Sequence, residues 1–541
     1  MKQRKGKLKA VLVGIAGSHN AFSLSLYNLK AYAYRCSSIH NDWEISVIQH
    51  PLIGGLNKEN LLLKLRDKIL SLNPDVVGFS CYMWNIYEFI DIATGIHNIS
   101  PDTKIIFGGP EIATDYVKEG NFDEFPIDFC ISGEGEHTFL ELLSSFSGGL
   151  PLLENIAGLS HRTATNTSFT INPKRIPFKS LTEIPSPFLS GVVDEEVLAR
   201  KNVEANIETQ RGCNLRCSYC IYHKDMDRVT YSEVDRILEE VRYILDRGVK
   251  KIRFVDANFS SRLPHAKSVM KRLIEEKCQT SLFFELIPGF IDEELASLFG
   301  DFTNLHNSNQ ITIGVGVQTI NRKVLKRLKR PIRKEKFEMT FKLLQKYNIY
   351  TKIDLIIGLP GEDISAINRT LEYMVEQLRG SRAHLLCCHV MRGLPGTELI
   401  DMAKEDNMVF SSKYEPHELI ESPTLPRSDM VRCLRRTAVL FRLINHGGWA
   451  DREFVREKFS DTTNIRDLFF LTRDKLGLKN IGLVDMMVEA LIDYLKPRHS
   501  HFSEPDFPYA ETWWWNHASH EISNDWIVNF LSDLDVRPNT I

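Results

Sequence analysis

The chain has 541 residues, 43% hydrophobic and 25% charged, which is the composition of a folded protein with several domains rather than of a disordered one. Its 67 Lys and Arg nearly balance its 70 Asp and Glu, and a net charge of −3 argues against nucleic acid or an anionic membrane as a partner. No apolar stretch is long enough to span a bilayer, and ten cysteines are too few for a disulfide scaffold. We therefore expect a reduced, cytoplasmic protein.

The first third of the chain alternates short β-rich runs with segments of helical spacing. Five strands are predicted, at AVLVGIA (10–16), EISVIQ (44–49), DVVGFS (75–80), KIIFGG (104–109) and IDFCIS (127–132). Nearly continuous apolar runs are typical of strands that are covered on both faces. Residues 1–150 are thus predicted to form an α/β domain with a doubly wound, Rossmann-like parallel sheet.

The loops after these strands contain the candidate ligand-binding residues, because such sheets bind ligands at the carboxyl ends of their strands. Small residues there allow close approach to the backbone, and aromatic side chains follow the third strand. The candidates are Ser18, Ser80, Tyr82, Trp84, Gly108, Gly109, Gly133, Glu134 and Gly135. Glycines also make ordinary tight turns, so both interpretations stay open. The nicotinamide fingerprint G-x-G-x-x-G is absent.

The middle of the chain contains the segment EANIETQRGCNLRCSYC (204–220), in which a β-run leads into Cys213, Cys217 and Cys220. Three thiolates at C-x-x-x-C-x-x-C spacing can ligate three irons of a four-iron cluster and leave the fourth iron open. Structural zinc needs four ligands, and only His223 is a nearby candidate for the fourth. The spacing therefore predicts an iron–sulfur cluster that can bind a small molecule.

Further strand and helix patterns follow the cysteine motif. The strand candidates are KIRFVDANF (251–259), SLFFELIP (281–288), ITIGVGVQT (311–319), YTKIDLIIGLPGED (350–363) and HLLCCHVM (384–391). With the cysteine-bearing strand they predict a partial (β/α)6 barrel over residues 201–410. Functional residues of such barrels lie at the carboxyl ends of the strands. The polar residues at those positions are Asp256, Asn258, Glu285, Gln318 and His389.

Two further regions are predicted from composition. Residues 151–200 contain scattered prolines and are expected to be a linker with little structure of its own. Residues 411–541 show helical periodicity at 428–444 and 483–495, which predicts a helical C-terminal domain. The run WWWNH (513–517) is interpreted as core packing, with a stacking platform for a substrate as the alternative.

These segments together resemble the cobalamin-binding radical S-adenosylmethionine (SAM) enzymes. The resemblance lies in VVGFSCYMWN (76–85), IIFGGPEIA (105–113) and DFCISGEGEHTFLELL (128–143), and in GVQTINRKVLKRLKRP (316–331), DLIIGLPGED (354–363) and LPGTEL (394–399). It implies three cofactors, a [4Fe–4S] cluster, SAM and cobalamin. It also implies a small-molecule or peptide substrate and a reductant such as flavodoxin or ferredoxin.

The resemblance also implies roles for single residues. Tyr219 is expected to lie against the adenine of SAM, and the segment from Asp256 to Asn258 to hold its amino-acid end, although the common G-G-E is replaced there. No D-x-H-x-x-G motif is present, so no histidine ligand is expected below the cobalt. Tyr82 and Trp84 are expected to meet the lower corrin face. For Trp84 the alternative is a core aromatic residue at the start of a helix.

Three functions are compatible with this resemblance. The first is a methyltransferase that acts on an unactivated carbon of a small-molecule or peptide biosynthetic intermediate. The second keeps the same cofactors but closes or rearranges a ring without methyl transfer. The third is a cobalamin or redox sensor with a purely structural cluster. The open iron implied by the cysteine spacing favours the enzymes over the sensor.

Overall fold

The computed structural model describes residues 6–16, 22–51, 58–162, 168–224, 226, 228–307, 309–379, 384–411, 417–446, 465–495, 526–527, 529–531 and 534. The chain divides into two compact units. The first unit contains Met1–Glu285, Asp301–Ile311 and Leu394–Glu398. The second unit contains Leu286–Gly300, Thr312–Gly393 and Leu399–Ile541.

The first sheet has seven strands in the order β2-β1-β3-β4-β5-β6-β7. The strands are β1 (Leu8–Ile15), β2 (Trp43–His50), β3 (Val76–Ser80), β4 (Lys104–Gly108), β5 (Phe129–Ile131), β6 (Leu159–His161) and β7 (Thr170–Ile171). The helices are α1 (Leu24–Tyr34), α2 (Ser37–Asp42), α3 (Lys58–Ser71), α4 (Ile86–Ile99), α5 (Thr114–Lys118) and α6 (Gly135–Phe146). Strands β1 to β5 are parallel, as predicted. Because β1 pairs with both β2 and β3, the ligand crevice of this topology opens beside the ends of β1 and β3.

Both faces of this sheet are covered, which explains why its strands are continuous apolar runs. Along β1, Val11, Val13 and Ile15 pack into one hydrophobic cluster, whereas Ala10 and Leu12 pack into another. Successive side chains of a strand point to opposite faces. The doubly wound arrangement predicted from the sequence is therefore confirmed.

The region 151–200 contains more structure than its prolines suggested. Strand β6 pairs antiparallel with β5, and β7 pairs antiparallel with β6, so both extend the first sheet. The strands have three and two residues. Such short segments have no measurable period, and their pairing partners are distant in sequence. The expectation of a linker with little structure was wrong for these residues.

The second sheet has six strands in the order β15-β14-β13-β12-β11-β8. A short helix, α7 (Glu195–Leu198), precedes it; the strands are β8 (Glu204–Ile207), β11 (Lys251–Phe254), β12 (Ser281–Leu286), β13 (Gln310–Gln318), β14 (Tyr350–Ile357) and β15 (His384–Val390). The pairs β8–β11, β11–β12, β13–β14 and β14–β15 are parallel. The intervening helices are α8 (Val234–Asp246), α9 (Leu263–Glu275), α10 (Glu293–Leu305), α11 (Arg322–Arg327), α12 (Lys334–Lys346) and α13 (Ile364–Gln377). The six parallel strands confirm the predicted partial barrel.

Smaller elements complete the described chain. Two hairpins are formed by β9 (Gln210–Arg211) with β10 (Thr230–Tyr231), and by β16 (Val409–Phe410) with β17 (Leu419–Glu421). The later helices are α14 (Leu399–Glu405), α15 (Arg427–Phe441), α16 (Ile465–Lys475) and α17 (Asn480–Leu495). The helical character predicted for the C-terminal region is thus found where it is described. Trp513, Trp514, Trp515 and His517 lie outside the described residues, and no described helix is long and apolar enough to cross a membrane.

Candidate cofactor and substrate site

The three cysteines of the motif lie on one loop, which the β9–β10 hairpin closes at its base. Cys213 and Cys217 are 9% and 4% exposed, Cys220 is half-buried, and none of the three is in a disulfide. The backbone N–H of Leu215 donates to Cys213 Sγ at 3.4 Å. Three reduced thiols on one loop, with a backbone donor to sulfur, fit the ligand set of a four-iron cluster.

Contacts within the loop fix its shape. Gly212 has φ +91°, and a Cβ there would lie 2.8 Å from the carbonyl oxygen of Arg228, so only glycine fits without strain. Arg216 Nη1 donates to the carbonyl of His223 at 3.0 Å, and His223 Nε2 lies 3.0 Å from the carbonyl of Cys217. His223 thus orders the loop.

Asp256, at the end of β11, holds the strand that leads into the cysteine loop. Its carboxylate accepts the backbone N–H of Thr209 at 2.8 Å, the backbone N–H of Gln210 at 3.0 Å and the Thr209 hydroxyl. Burial raises the pKa of Asp256 to about 7. Both carboxylate oxygens are therefore engaged by the protein itself. The expected contact of this segment with the amino-acid end of SAM stays a prediction.

Asn258 and its neighbours form a buried polar network beside the cysteine loop. The carbonyl of Asn258 accepts from Gln210 Nε2 at 2.7 Å, and its Oδ1 accepts from the Ser260 hydroxyl at 3.2 Å. Ser261 hydrogen-bonds both Gln210 and Tyr231. Tyr219, on the loop, is 9% exposed. The expected SAM contacts of Tyr219 and Asn258 remain predictions, and the network gives them rigid surroundings.

Tyr222 lies two residues after the last motif cysteine and was not singled out from the sequence. Its side chain is 54% exposed, so it is an accessible aromatic group beside the cysteine loop. Glu285 is half-buried at the end of β12, and its expected cofactor contact stays a prediction.

Tyr82 and Trp84 stack on each other in the loop after β3. Their ring centroids are 4.5 Å apart with an interplanar angle of 12°, and Trp84 Nε1 donates to the carbonyl of Ile15 at 3.1 Å. Trp84 is 36% exposed, so the alternative of a buried core aromatic was wrong. Burial raises the pKa of Tyr82, against the effect of hydrogen bonds with Ser25 and Ser80. The aromatic pair therefore stands at the crevice between the ends of β1 and β3.

The small candidate residues in the loops of the first sheet lie in different surroundings. Gly109 has φ +106°, and a Cβ there would lie 2.7 Å from the carbonyl oxygen of Cys81, so its glycine serves backbone packing. Gly133 has φ +79° with nothing within 4 Å, which leaves room for a ligand. Ser80 is buried beside Ser25. For Gly108 and Gly135 a Cβ would make contacts of 3.6 Å and 3.3 Å, and Ser18 lies outside the described residues.

Glu134 is tied to protein groups on both oxygens. Its Oε1 accepts from Arg211 Nη1 at 2.8 Å, and its Oε2 accepts the backbone N–H of Phe178 at 2.6 Å. Glu134 thus has a structural role, and its expected contact with a cofactor stays a prediction. Arg211 was not singled out from the sequence, although it stands two residues before Cys213.

Gln318 and His389 belong to the second unit. Gln318 has φ +66° at an irregularity of β13, a strained backbone for a residue with a side chain. His389 Nε2 lies 3.0 Å from Asp354 Oδ1, and Lys352 Nζ lies 2.9 Å from the same oxygen. Burial would raise the pKa of Asp354, but His389 and Lys352 hold it below its usual value. The proposed cofactor contacts of Gln318 and His389 stay predictions.

Comparisons with known proteins agree with this geometry. Residues 207–374 match the radical SAM superfamily, and residues 41–143 match the B12-binding domain. The chain therefore contains a B12-binding domain followed by a radical SAM domain. These domains imply a [4Fe–4S] cluster, SAM and cobalamin as cofactors.

Two relatives of this radical SAM enzyme are named methyltransferases. The cobalamin-dependent radical SAM methyltransferase TokK of Streptomyces tokunonensis is 28% identical over 303 residues, which are 54% of this chain and 43% of TokK. The 2-(S-pantetheinyl)-carbapenam-3-carboxylate methyltransferase of Streptantibioticus cattleyicolor is 27% identical over 301 residues, again 54% of this chain and 43% of the relative. The chain therefore matches less than half the length of these two relatives.

A solved structure supports the fold of the radical SAM enzyme. The cobalamin-dependent SAM radical enzyme OxsB with aqua-cobalamin bound superposes with a TM-score of 0.65 at 14% identity, covering 98% of this chain and 80% of OxsB. At this identity the likeness concerns the fold alone.

Proposed function

We propose that this radical SAM enzyme is a cobalamin-dependent methyltransferase that methylates an unactivated carbon of a small-molecule or peptide biosynthetic intermediate. The observation that carries the proposal is that one compact unit contains both the three cysteines of the open-iron motif and the stacked Tyr82–Trp84 pair at the crevice of the first sheet.

Residues of this chain would hold both cofactors. Cys213, Cys217 and Cys220 would hold the cluster, while the Tyr82–Trp84 pair would cover the lower corrin face. When bound, the cluster and SAM supply a radical that removes hydrogen from carbon, and cobalamin supplies the methyl group. The protein's contribution is to hold the reacting groups in fixed positions and to exclude water.

The names of the relatives favour methyl transfer over rearrangement. TokK and the carbapenam-3-carboxylate enzyme are both methyltransferases by name. An indole cannot serve as a nitrogen ligand, because its ring N–H donates and offers no lone pair to a metal. Trp84 would therefore cover the lower corrin face without itself binding the cobalt.

Product mass distinguishes the two enzymatic functions. The purified enzyme, loaded with cluster and cobalamin, is incubated with SAM, a one-electron reductant and candidate intermediates. The masses of substrates and products are then measured by mass spectrometry. Methyl transfer replaces a hydrogen on carbon by a methyl group, so the mass rises by one CH2 unit. S-adenosylhomocysteine is formed from the methyl donor, and 5′-deoxyadenosine carries away the hydrogen. A ring-closing or rearranging enzyme forms 5′-deoxyadenosine with a product that has gained no methyl group, and that result would contradict the proposal.

A further inference from the structure

The guanidinium of Arg211 is surrounded by three carboxylates. Nη1 donates to Glu134 at 2.8 Å, Nη2 donates to Glu136 at 2.9 Å and to Glu208 at 2.8 Å, and Nε donates to Glu208 at 2.9 Å. The four side chains are between 7% and 20% exposed. Charge-assisted hydrogen bonds of an arginine fork are strong and directional, and they are screened little when buried.

This cluster of charges joins two separate parts of the first unit. Glu134 and Glu136 lie at the start of α6, directly after the loop that contains Gly133. Glu208 and Arg211 lie between β8 and Cys213, at the entry to the cysteine loop. The loop on the cobalamin-binding sheet is therefore fastened to the beginning of the cluster-binding loop.

A second contact fastens the other end of the cysteine loop. Lys224, four residues after Cys220, lies with its Nζ 3.5 Å from the carbonyl of Pro395. Its charge also lowers the pKa of Glu111, which burial raises to about 7, in the loop after β4. The cysteines thus lie between two fixed points, of which the Arg211 cluster is the one whose hydrogen bonds reach the first sheet.

We propose that Arg211 is a positioning residue that sets the distance and orientation of the iron–sulfur cluster relative to the corrin. Its rigid fork satisfies carboxylates from both parts at once, which the single ammonium of a lysine cannot do. Position matters because a displacement of about 1 Å can lower a rate by about 100-fold. The inference rests on the two cofactors and not on whether a methyl group is transferred.

The experiment measures the separation of the two cofactors directly. In the holoenzyme, the reduced cluster and cob(II)alamin are both paramagnetic, so pulsed electron paramagnetic resonance (EPR) reports the distance between them without any substrate. The variants are Arg211→Lys, which keeps the charge, and the double variant Glu134→Gln/Glu136→Gln, which removes only the carboxylates of the first sheet. Glu141→Gln is the matched control, because Glu141 lies on α6 but pairs with Arg175 of the same part of the chain.

We expect one narrow distribution of the distance between cluster and cobalt for the wild type and for Glu141→Gln. For Arg211→Lys and for the double variant we expect this narrow distribution to be lost while both cofactors are still bound. An unchanged narrow distribution in both test variants would overturn the proposal. Loss of the cluster or of cobalamin from both test variants, while Glu141→Gln retains them, would also overturn it. That result would mean that the charges are required for folding instead of positioning.

Discussion

The surroundings of the cysteine thiols distinguish the predicted cluster ligands from the other cysteines. Cys213 has a backbone N–H donor at its sulfur, whereas burial raises the pKa of Cys278 to about 11 and keeps that thiol protonated. A thiolate is the form that binds iron, so the surroundings of Cys213 suit a ligand and those of Cys278 do not.

Replacement of any one cluster cysteine by alanine is therefore expected to abolish reductive cleavage of SAM, because two thiolates do not hold a four-iron cluster in its open-iron form. The measurements are iron content after reconstitution and 5′-deoxyadenosine formation for Cys213→Ala, Cys217→Ala and Cys220→Ala. Cys278→Ala serves as the control and should keep the cluster. Cluster-dependent 5′-deoxyadenosine from all three variants would mean that the ligands are assigned wrongly.

Trp84 is expected to tune cobalt rather than to hold cobalamin. Trp84→Ala removes the ring that stacks on Tyr82 at 4.5 Å and should open the lower corrin face to water. Cobalamin affinity should change little, while the potential for reduction of cob(II)alamin falls and EPR detects an axial oxygen ligand. Tyr82→Phe keeps the stack and is the comparison. Nitrogen hyperfine splitting from an axial imidazole in the wild type would contradict this account of the lower face.

At the scale of elements, a buried carboxyl joins the loops after β13 and β14. Glu362 is 1% exposed, accepts the hydroxyl of Thr319 at 2.6 Å, and accepts the hydroxyl of Thr424 on its backbone carbonyl at 3.0 Å. Its neighbour Asp363 caps α13 by accepting the N–H of Ala366 at 2.7 Å. The motif GLPGED thus organises three segments of the second unit.

Glu362 should make stability fall as the pH rises. Burial raises its pKa from 4.5 to about 8, so the folded chain keeps a proton that the unfolded chain has released. The resulting stability is complete below pH 4.5 and is lost as the pH rises through about 8. Glu362→Gln keeps the acceptor and cannot ionise. The Tm of Glu362→Gln should therefore rise relative to the Tm of the wild type as the pH increases across this range. A difference in Tm that stays constant with pH would contradict the assignment.

Elements with local signals were predictable from the sequence. The parallel strands of both sheets follow from apolar runs of β-branched residues, whereas β6 and β7 were too short to be predicted. The cluster cysteines follow from spacing alone. The ion pairs of Arg211 with Glu134 and Glu136 span 77 and 75 positions, so no local pattern contains them. The hydrogen bonds of Asp256 could not be predicted for a similar reason, since its backbone partners Thr209 and Gln210 are 47 and 46 positions away.

At the scale of the molecule, one compact unit contains the residues matched to the B12-binding domain and the three cluster cysteines. The residues that would hold the cluster and those that would hold cobalamin therefore belong to one compact unit. We propose that the cofactors act together on one carbon atom of a substrate.

The most direct test follows the methyl group of SAM. The holoenzyme is incubated with a reductant, with SAM that carries a trideuterated methyl group, and with metabolite extracts in which candidate intermediates accumulate. The account predicts one product that carries the intact trideuterated methyl group on carbon, formed together with S-adenosylhomocysteine and 5′-deoxyadenosine. Formation of 5′-deoxyadenosine with a transformed product that lacks the label would contradict methyl transfer to carbon.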